Sequence, residues 1–202
     1  YVLVAGGIGI TPIIAMADRL QKIGASYELH YAGRSRNTMA FLERAARDHG
    51  AVLAIYASDE SASLDLVTLV STLSQGAQVY ACGPERLLTA LEELTADLPE
   101  NTFHFEHFSS SNAVLDPANE TSFEVEFADS GLVINVPADT TLLDAILATG
   151  IDIACDCREG LCGSCEVAVV EGKVDHRDVV LTRSERATNK RIMTCVSRAQ
   201  KG

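Results

Sequence analysis

The sequence lacks four features that would each indicate a particular class of protein: an excess of basic residues, a long uninterrupted apolar run, internal repeats and low-complexity tracts. It contains 16 lysines and arginines against 28 aspartates and glutamates, which gives a formal net charge of −12. Nucleic-acid binding depends on basic side chains that neutralise phosphates, so this composition argues against nucleic acid as a partner. The same charge favours solubility and attraction to a basic partner surface.

The most apolar stretch, residues 1–17, does not have the pattern of a signal peptide or a membrane span. Glycines, Thr11 and Pro12 interrupt it, and no basic segment precedes it. A signal peptide begins with a basic region, and a membrane-spanning helix needs about 20 consecutive apolar residues. We therefore predict that the protein has neither. The chain has no initiator methionine and begins directly on a strand-like run, so we expect it to be a piece of a longer polypeptide.

Six cysteines in 202 residues are too few for a secreted disulfide scaffold, but four of them have a diagnostic spacing. Cys157, Cys162 and Cys165 follow the pattern Cys-x4-Cys-x2-Cys, and Cys195 lies 30 residues further on. This is the plant-type spacing for a [2Fe–2S] cluster. Structural zinc usually uses two closely spaced cysteine pairs, and only one such pair is present. The sequence therefore predicts these four thiolates as cluster ligands.

Two glycines and a fifth cysteine accompany the predicted ligands. We expect Gly160 and Gly163 to keep side chains away from the cluster, so that backbone N–H groups can approach the sulfur atoms. Cys155 is interpreted as a buried core residue, with a substitute ligand as the alternative. Arg158 either guides a partner or is an ordinary surface residue. Free thiols beside a cluster indicate a reducing compartment, so we expect a cytoplasmic protein.

The first 108 residues alternate between strand-like and helix-like segments. Apolar runs predict strands at 1–5, 27–32, 51–57, 78–81 and 102–108, and amphipathic patterns predict helices at 12–23, 39–49, 64–73 and 85–97. Thr11 is the expected N-cap of the first helix. Strands separated by single helices imply right-handed crossovers and a doubly wound parallel five-stranded sheet. Such an α/β sheet binds ligands at the carboxyl ends of its strands.

Residues 109–120 are polar and rich in turn formers, and we interpret them as a linker between two domains. The pattern then changes to alternation with period two at Phe123, Val125 and Phe127. The remaining predicted elements are a hairpin partner at 132–136, a helix at 141–149, a strand at 166–170, a short helix near 183–189 and a strand at 192–196 that carries Cys195. Residues 121–202 are therefore predicted to form a second, α+β domain.

Two motifs fall at the predicted carboxyl edge of the first sheet. Gly6-Gly7-Ile8-Gly9-Ile10-Thr11-Pro12 joins the first strand to the first helix, where glycines and a helix N-terminus can bind a pyrophosphate. The alternative is that these glycines serve packing alone. Cys82-Gly83-Pro84 ends the fourth strand at the same edge, and its alternative interpretation is a buried cysteine before an ordinary turn.

Together with Glu106-His107-Phe108 and the C-terminal cysteine pattern, these motifs closely resemble the phthalate dioxygenase reductase family. Its members are iron–sulfur flavoproteins of the ferredoxin-NADP reductase superfamily, with a flavin domain, a nucleotide domain and a ferredoxin domain in that order. The chain resembles the last two, which implies an NAD(P)-binding domain at 1–108 and a β-grasp ferredoxin domain at 121–202. The resemblance also implies roles for individual residues. The pyrophosphate and ribose of the nucleotide would be lined by Gly7, Gly9, Ile10 and Thr11. The nicotinamide would lie beside Cys82, Gly83 and Pro84, and Phe108 would lie near the flavin–nicotinamide stack. Cys82 is the candidate catalytic residue.

The end of the second strand bears on the choice between NADH and NADPH. It carries Gly33-Arg34-Ser35-Arg36, and an arginine at this point favours a nucleotide with a 2′-phosphate. The family resemblance favours NADH instead. We predict NADH, with NADPH as the alternative, and take Arg34, Ser35 and Arg36 as candidate cofactor-binding residues. The acidic pair Asp59-Glu60 is interpreted as solvated surface.

A nicotinamide donates two electrons as a hydride, whereas a [2Fe–2S] cluster accepts one electron at a time, so an intermediate carrier is needed. A flavin can serve, yet nothing in the chain resembles the flavin-domain strands or their Arg-x-Tyr-Ser motif. We therefore expect an FMN domain upstream. The resemblance implies transfer from NADH through FMN and the cluster to a Rieske non-haem iron oxygenase that hydroxylates or demethylates its substrate. The alternatives are the reductase end of a fused haem-thiolate monooxygenase and a ferredoxin module with a non-functional nucleotide domain.

Overall fold

The computed structural model describes residues 1–99, 102–108 and 115–200, and the chain divides into two compact units. The first unit is Tyr1–His107 and the second is Phe108–Gly202. Part of the predicted linker, residues 109–114, lies outside the described residues. Across the part of the chain that is described, every helix is too short or too polar to cross a membrane.

The first unit is built on a parallel sheet with a fully buried central strand. Its strands are β1 (Val2–Gly6), β2 (Glu28–Gly33), β3 (Leu53–Ala57), β4 (Val79–Cys82) and β5 (Phe103–Glu106). They lie in the order β3-β2-β1-β4-β5, and every pairing is parallel. All five residues of β1 are buried because helices cover both faces of the sheet, which is why this strand is a continuous apolar run. The predicted five-stranded parallel sheet is confirmed.

Four helices supply the two apolar layers that cover this sheet. They are α1 (Ile10–Lys22), α2 (Leu42–His49), α3 (Leu66–Ser71) and α4 (Glu85–Leu94). One core cluster contains Ile13 and Ala17 of α1 with Leu29 of β2, and a second contains Leu69 of α3 and Leu88 of α4. The sheet is therefore doubly wound, as predicted.

Two helix starts differ from the prediction. The N-cap of α1 is Gly9 rather than Thr11, and the Thr11 hydroxyl donates to the Ile8 carbonyl from within the first turn. Helix α2 begins at Leu42, three residues later than predicted, because Phe41 adopts a left-handed backbone with φ of 56°. A left-handed residue cannot continue a right-handed helix, so the preceding residues form turns instead.

The second unit consists of short antiparallel ladders and two helices. Its elements are β6 (Phe123–Glu126), β7 (Val133–Val136), α5 (Leu142–Ala148), β8 (Glu166–Ala168), β9 (Val174–Asp175), α6 (Arg183–Thr188), β10 (Arg191–Met193) and β11 (Arg198–Ala199). Strand β6 pairs with β7, β8 with β10, and β9 with β11. Helix α5 buries Leu142, Leu143 and Ile146. Thr141 caps it by accepting a hydrogen bond of 3.0 Å from the Asp144 amide.

The predicted strand at 192–196 is shorter than expected. Strand β10 ends at Met193, and the Ser197 amide donates to the Met193 carbonyl at 3.0 Å across the turn that follows. Cys195 therefore lies in a turn and not on a strand. The chain then continues into β11, so the described residues include one more strand beyond Cys195.

The buried side chain of Arg198 anchors this last strand. It is 2% exposed and donates to the carbonyl oxygens of Thr140, Pro137 and Thr121 at 2.8, 2.9 and 3.2 Å. Its Nε lies 3.3 Å from the Glu120 carboxylate. A buried guanidinium needs such partners, since an unpaired buried charge is strongly destabilising. Glu120, assigned to the linker by its composition, is thus packed into the second unit.

Candidate functional site

The four candidate ligand cysteines lie in the second unit, where their sulfur atoms make contacts within two pairs. The sulfur atoms of Cys165 and Cys195 lie 3.1 Å apart, and both residues are buried. Cys162 is exposed and hydrogen-bonds to Cys157 and to Ser164. The first pair joins the loop to the turn after β10, whereas the second pair lies within the loop itself.

Backbone amides donate to one sulfur atom of the loop pair, and a hydroxyl accepts a hydrogen bond of 3.3 Å from the other. The amides of Glu159 and Leu161 each donate to the Cys157 sulfur at 3.4 Å. Hydrogen bonds with the Ser164 hydroxyl and with Cys157 lower the pKa of Cys162 to about 7. Donors around a sulfur favour the thiolate, which is the form that ligates a metal.

Thr194 aligns the buried pair by connecting the backbone of one cysteine to that of the other. Its amide and its hydroxyl both donate to the Cys165 carbonyl, at 3.3 and 3.0 Å. The hydrogen bond between the two sulfurs lowers the pKa of Cys165 to about 6 and raises that of Cys195. Thr194 was not predicted as a site residue, although its position next to Cys195 in the sequence was a usable signal.

This arrangement fits a dinuclear cluster better than a single metal ion. Two irons require two thiolates each, and the structure supplies two sulfur pairs. Among the residues that the structure describes, no group of three or more His, Cys, Asp or Glu side chains converges on a site for one ion. A tetrahedral zinc site would need four ligands around one point. Cys157, Cys162, Cys165 and Cys195 could therefore hold a [2Fe–2S] cluster.

The two loop glycines have a packing role that the sequence did not indicate. Gly160 has φ of 69°, and a Cβ there would lie 2.7 Å from Val196 Cγ2. A Cβ on Gly163 would lie 3.3 Å from Val180 Cγ1. Both missing side chains point toward packed valines of the same unit, so these glycines allow the loop to turn and to pack closely.

The prediction that Cys155 is a core residue is wrong, because its side chain is exposed. Arg158, whose role the sequence left open, forms an ion pair of 2.8 Å with Asp144 of α5. Arg158 also has a left-handed backbone with φ of 59°. Its contact with α5 holds the loop where an unfavourable backbone conformation is needed.

In the first unit, the two glycine motifs pack directly against each other at the carboxyl edge of the sheet. A Cβ on Gly9 would lie 2.1 Å from the Cys82 carbonyl oxygen and 2.7 Å from the Gly83 amide nitrogen. Gly7, by contrast, has φ of 54° and no atom within 4 Å of such a Cβ. Of the two, Gly9 serves backbone packing, and Gly7 borders open space where a ligand can approach.

The other predicted nucleotide residues differ in their exposure. Ile10 is fully buried in the core, so only its backbone can face a ligand, while Thr11 is half-buried and Phe108 is 53% exposed. Cys82 is also fully buried, and burial together with the Glu106 charge raises the pKa of its thiol to about 11. Cys82 is therefore a neutral thiol at neutral pH and not an activated nucleophile. Pro84 packs over Gly6 and precedes α4.

The residues after β2 lie beside those after β3. The Arg36 Nε donates to both carboxylate oxygens of Glu60, at 2.8 and 3.0 Å. The Ser35 hydroxyl lies 3.0 Å from that of Thr38, and Arg34 is exposed. Glu60 is exposed, as predicted, and it is also the ion-pair partner of a candidate cofactor-binding residue, which the sequence did not indicate.

Comparison with known proteins gives one family match and several similarities that extend over nearly all of this chain. Residues 125–200 match the family model of the 2Fe-2S iron-sulfur cluster binding domain. Over 197 residues the chain is 43% identical to phenoxybenzoate dioxygenase subunit beta of Ectopseudomonas oleovorans, covering 97% of this chain and 60% of that protein. The chain therefore spans about three fifths of the length of this curated relative.

Solved structures that are similar over nearly all of the chain include a cytochrome P450 monooxygenase and a reductase. An intact type IV self-sufficient cytochrome P450 monooxygenase is 56% identical with a TM-score of 0.81, covering 100% of this chain and 26% of that one. Phthalate dioxygenase reductase, described as a modular structure for electron transfer from pyridine nucleotides to [2Fe–2S], is 34% identical with a TM-score of 0.60. That match covers 99% of this chain and 62% of the solved one.

Proposed function

We propose that the chain belongs to the phthalate dioxygenase reductase family and is the nucleotide-binding and iron–sulfur portion of an oxidoreductase. Cys157, Cys162, Cys165 and Cys195 would hold a [2Fe–2S] cluster, which would accept electrons that originate from NADH. The observation that carries the proposal is the arrangement of these four sulfurs as two pairs, which provides two thiolates for each iron. The free thiols fit a reducing compartment, and we place the protein in the cytoplasm.

The nucleotide site is proposed at the carboxyl edge of the first sheet. Gly7 borders open space there, and the N-terminus of α1 directs its positive dipole end toward the same edge, which suits a pyrophosphate. Cys82 and Gly83 would form the wall next to the nicotinamide, with Pro84 following. Because Cys82 is buried and neutral, its proposed role is to shape this wall and exclude water.

We propose that FMN, bound by a domain upstream of this chain, connects the two sites. FMN accepts a hydride and releases electrons singly, which is the chemistry that neither the nicotinamide nor the cluster supplies. The shares of 60% and 62% that the chain covers in its relatives leave room for a further domain in proteins of this type.

The role of the flavin can be tested with the cluster-loaded chain under anaerobic conditions. Mixed with NADH alone, the chain is expected to keep its cluster oxidised, because no group in it converts a hydride into single electrons. Adding the flavin domain of the same reductase should restore bleaching of the visible spectrum within seconds. Rapid bleaching by NADH without flavin would contradict the proposal. If the chain binds NADH but its cluster stays oxidised even with the flavin domain present, the failure lies in the flavin step and not in nucleotide binding.

The first candidate acceptor of the electrons is a Rieske non-haem iron oxygenase on a separate polypeptide. This candidate rests on the family resemblance and on the relative named as a dioxygenase subunit. The acidic composition of the chain suits docking to a basic surface on such a partner.

A second candidate is a haem-thiolate monooxygenase on the same polypeptide. One observation favours it: the identity of 56% to the self-sufficient cytochrome P450 exceeds the 43% to the dioxygenase subunit, over a similar share of this chain. The chain corresponds to 26% of that P450 structure, so most of that polypeptide lies outside the aligned region.

A carbon-monoxide difference spectrum of the complete natural protein distinguishes the two acceptors. A ferrous–carbonyl thiolate-haem band, obtained together with flavin and cluster from one polypeptide, is the expected result for the second candidate. Absence of haem, together with NADH-dependent reduction of a separately purified Rieske oxygenase, is the result expected for the first. If neither acceptor is reduced while the cluster is, the proposal of an oxygenase partner is wrong.

A further inference from the structure

Two turns at the carboxyl edge of the first sheet are joined by direct hydrogen bonds. The turn after β2 runs from Gly33 to Thr38, and the turn after β3 runs from Ser58 to Glu60. The Asp59 amide donates to the Arg34 carbonyl at 3.1 Å, and the Ser58 hydroxyl donates to the Gly33 carbonyl at 3.2 Å. These bonds hold the two turns in a fixed relation, so residues on one can act on ligands of the other.

The arginines of the first turn have different surroundings. Arg36 forms an ion pair with Glu60, in which the side chains are 46% and 48% exposed. Arg34 is exposed, and the described residues contain no hydrogen-bond or ion-pair partner for its side chain. One guanidinium is thus neutralised by a carboxylate from the neighbouring turn, whereas the other is not.

In a doubly wound sheet that binds a dinucleotide, the end of the second strand faces the 2′ position of the adenosine ribose. An acidic residue at this point favours NAD and an arginine favours NADP. The end of β2 offers arginines only, but the carboxylate of Glu60 reaches the same place from the turn after β3. The acidic group expected of an NAD-selective site is therefore supplied by the turn after β3 and not by the end of β2.

We propose that Glu60 is the residue that sets the nucleotide specificity of this protein, because it neutralises Arg36 and repels a 2′-phosphate. This inference rests on the proposed function, in which the nucleotide binds at this edge with its pyrophosphate near Gly7. It accounts for a preference for NADH in a chain whose second strand ends in Arg34-Ser35-Arg36. The 2′-phosphate carries nearly two negative charges, so one carboxylate within a few ångströms has a measurable effect even at an exposed site.

The test compares the binding of NAD⁺ and NADP⁺ by calorimetry to the cluster-loaded chain. The unmodified chain is expected to bind NAD⁺ more tightly. Glu60→Gln keeps the shape of the side chain and removes its charge, and should raise the affinity for NADP⁺ relative to NAD⁺ by about tenfold. The matched control is Asp59→Asn, which removes the same charge from the adjacent residue, whose side chain forms no recorded hydrogen bond or ion pair with Arg36. This control should shift the ratio by less than about threefold.

A double substitution tests whether the effect passes through Arg36. In the chain that already carries Arg36→Ala, Glu60→Gln should give less than half of its free-energy gain for NADP⁺, because no guanidinium remains to be released. Far-ultraviolet circular dichroism, to which the helices of the first unit contribute, should be the same in all variants and serves as the check that this unit is folded.

The outcomes separate this inference from the proposed function. An unchanged NADP⁺ to NAD⁺ ratio in Glu60→Gln would overturn the role of Glu60 while leaving the proposed function standing. An equal shift in Asp59→Asn, or a preference of the unmodified chain for NADP⁺, would overturn it as well. Failure of the unmodified chain to bind either nucleotide would overturn the proposed nucleotide site itself.

Discussion

Replacing Cys162 by serine is expected to abolish the iron–sulfur chromophore, whereas replacing Cys155 by serine leaves it intact. Both cysteines are exposed and both lie in the same loop, so the chemical change and the surroundings are matched. A serine hydroxyl is a poor substitute for thiolate on iron, and only Cys162 belongs to one of the two sulfur pairs. Iron content and the visible spectrum after anaerobic reconstitution measure the result directly.

The choice of Cys162 avoids confusing loss of a ligand with loss of folding. Cys165 and Cys195 are buried, and changes there also disturb packing. Far-ultraviolet circular dichroism should be nearly the same for both serine variants. If Cys155→Ser lost the cluster and Cys162→Ser retained it, Cys155 would be the ligand and the assignment by spacing would be wrong.

The second large effect is expected at Gly9, where alanine should destabilise the first unit far more than alanine at Gly7. A Cβ at Gly9 would lie 2.1 Å from the Cys82 carbonyl oxygen, a backbone atom that cannot move without displacing β4. Forced overpacking of this kind costs about 3 kcal/mol or more. At Gly7 the space is open, and alanine costs only the strain of a positive φ, about 1 kcal/mol.

Urea unfolding followed by circular dichroism measures both glycine variants. Because the chain contains two units, the transition of the first unit must be separated from that of the second. The cluster absorbance supplies this separation, since its candidate ligands all lie in the second unit, and it should not change in Gly9→Ala. Equal destabilisation by the two alanines would show that the close approach to Cys82 is relaxed at little cost.

The apolar pattern of the sequence predicted the buried strand, and the spacing of the cysteines predicted the candidate ligand set, because both features are encoded in short stretches of the chain. The continuous apolar run of β1 could only suit a strand covered on both faces, and the structure buries all five of its residues. The spacing of the cysteines indicated two thiolates per iron, and the structure arranges those sulfurs as two pairs. The burial of β1 depends on whole layers of helices, and the pairing of the cysteines depends largely on their spacing along the chain. Neither prediction requires knowing which individual distant side chains meet.

The burial and contact partners of individual side chains depend on distant segments and were predicted less well. Cys155 was expected in the core and is exposed. The burial of a loop residue depends on which distant segments pack against the loop, and its own sequence does not indicate this. The packing of Gly160 against Val196, 36 positions away in sequence, was not predicted. The ion pair of Glu60 with Arg36, which lies 24 residues earlier, was not predicted either.

By itself, the sequence determined the parallel five-stranded sheet, the glycine turn at its carboxyl edge and the set of four candidate ligand cysteines. These follow from short-range patterns: burial on both strand faces, and the reach of a loop around two metal ions. Only the tertiary structure decided that Gly9 packs on Cys82 and that Glu60 neutralises Arg36. Such contacts join segments that the parallel crossovers bring side by side, and no local pattern records which side chains then meet.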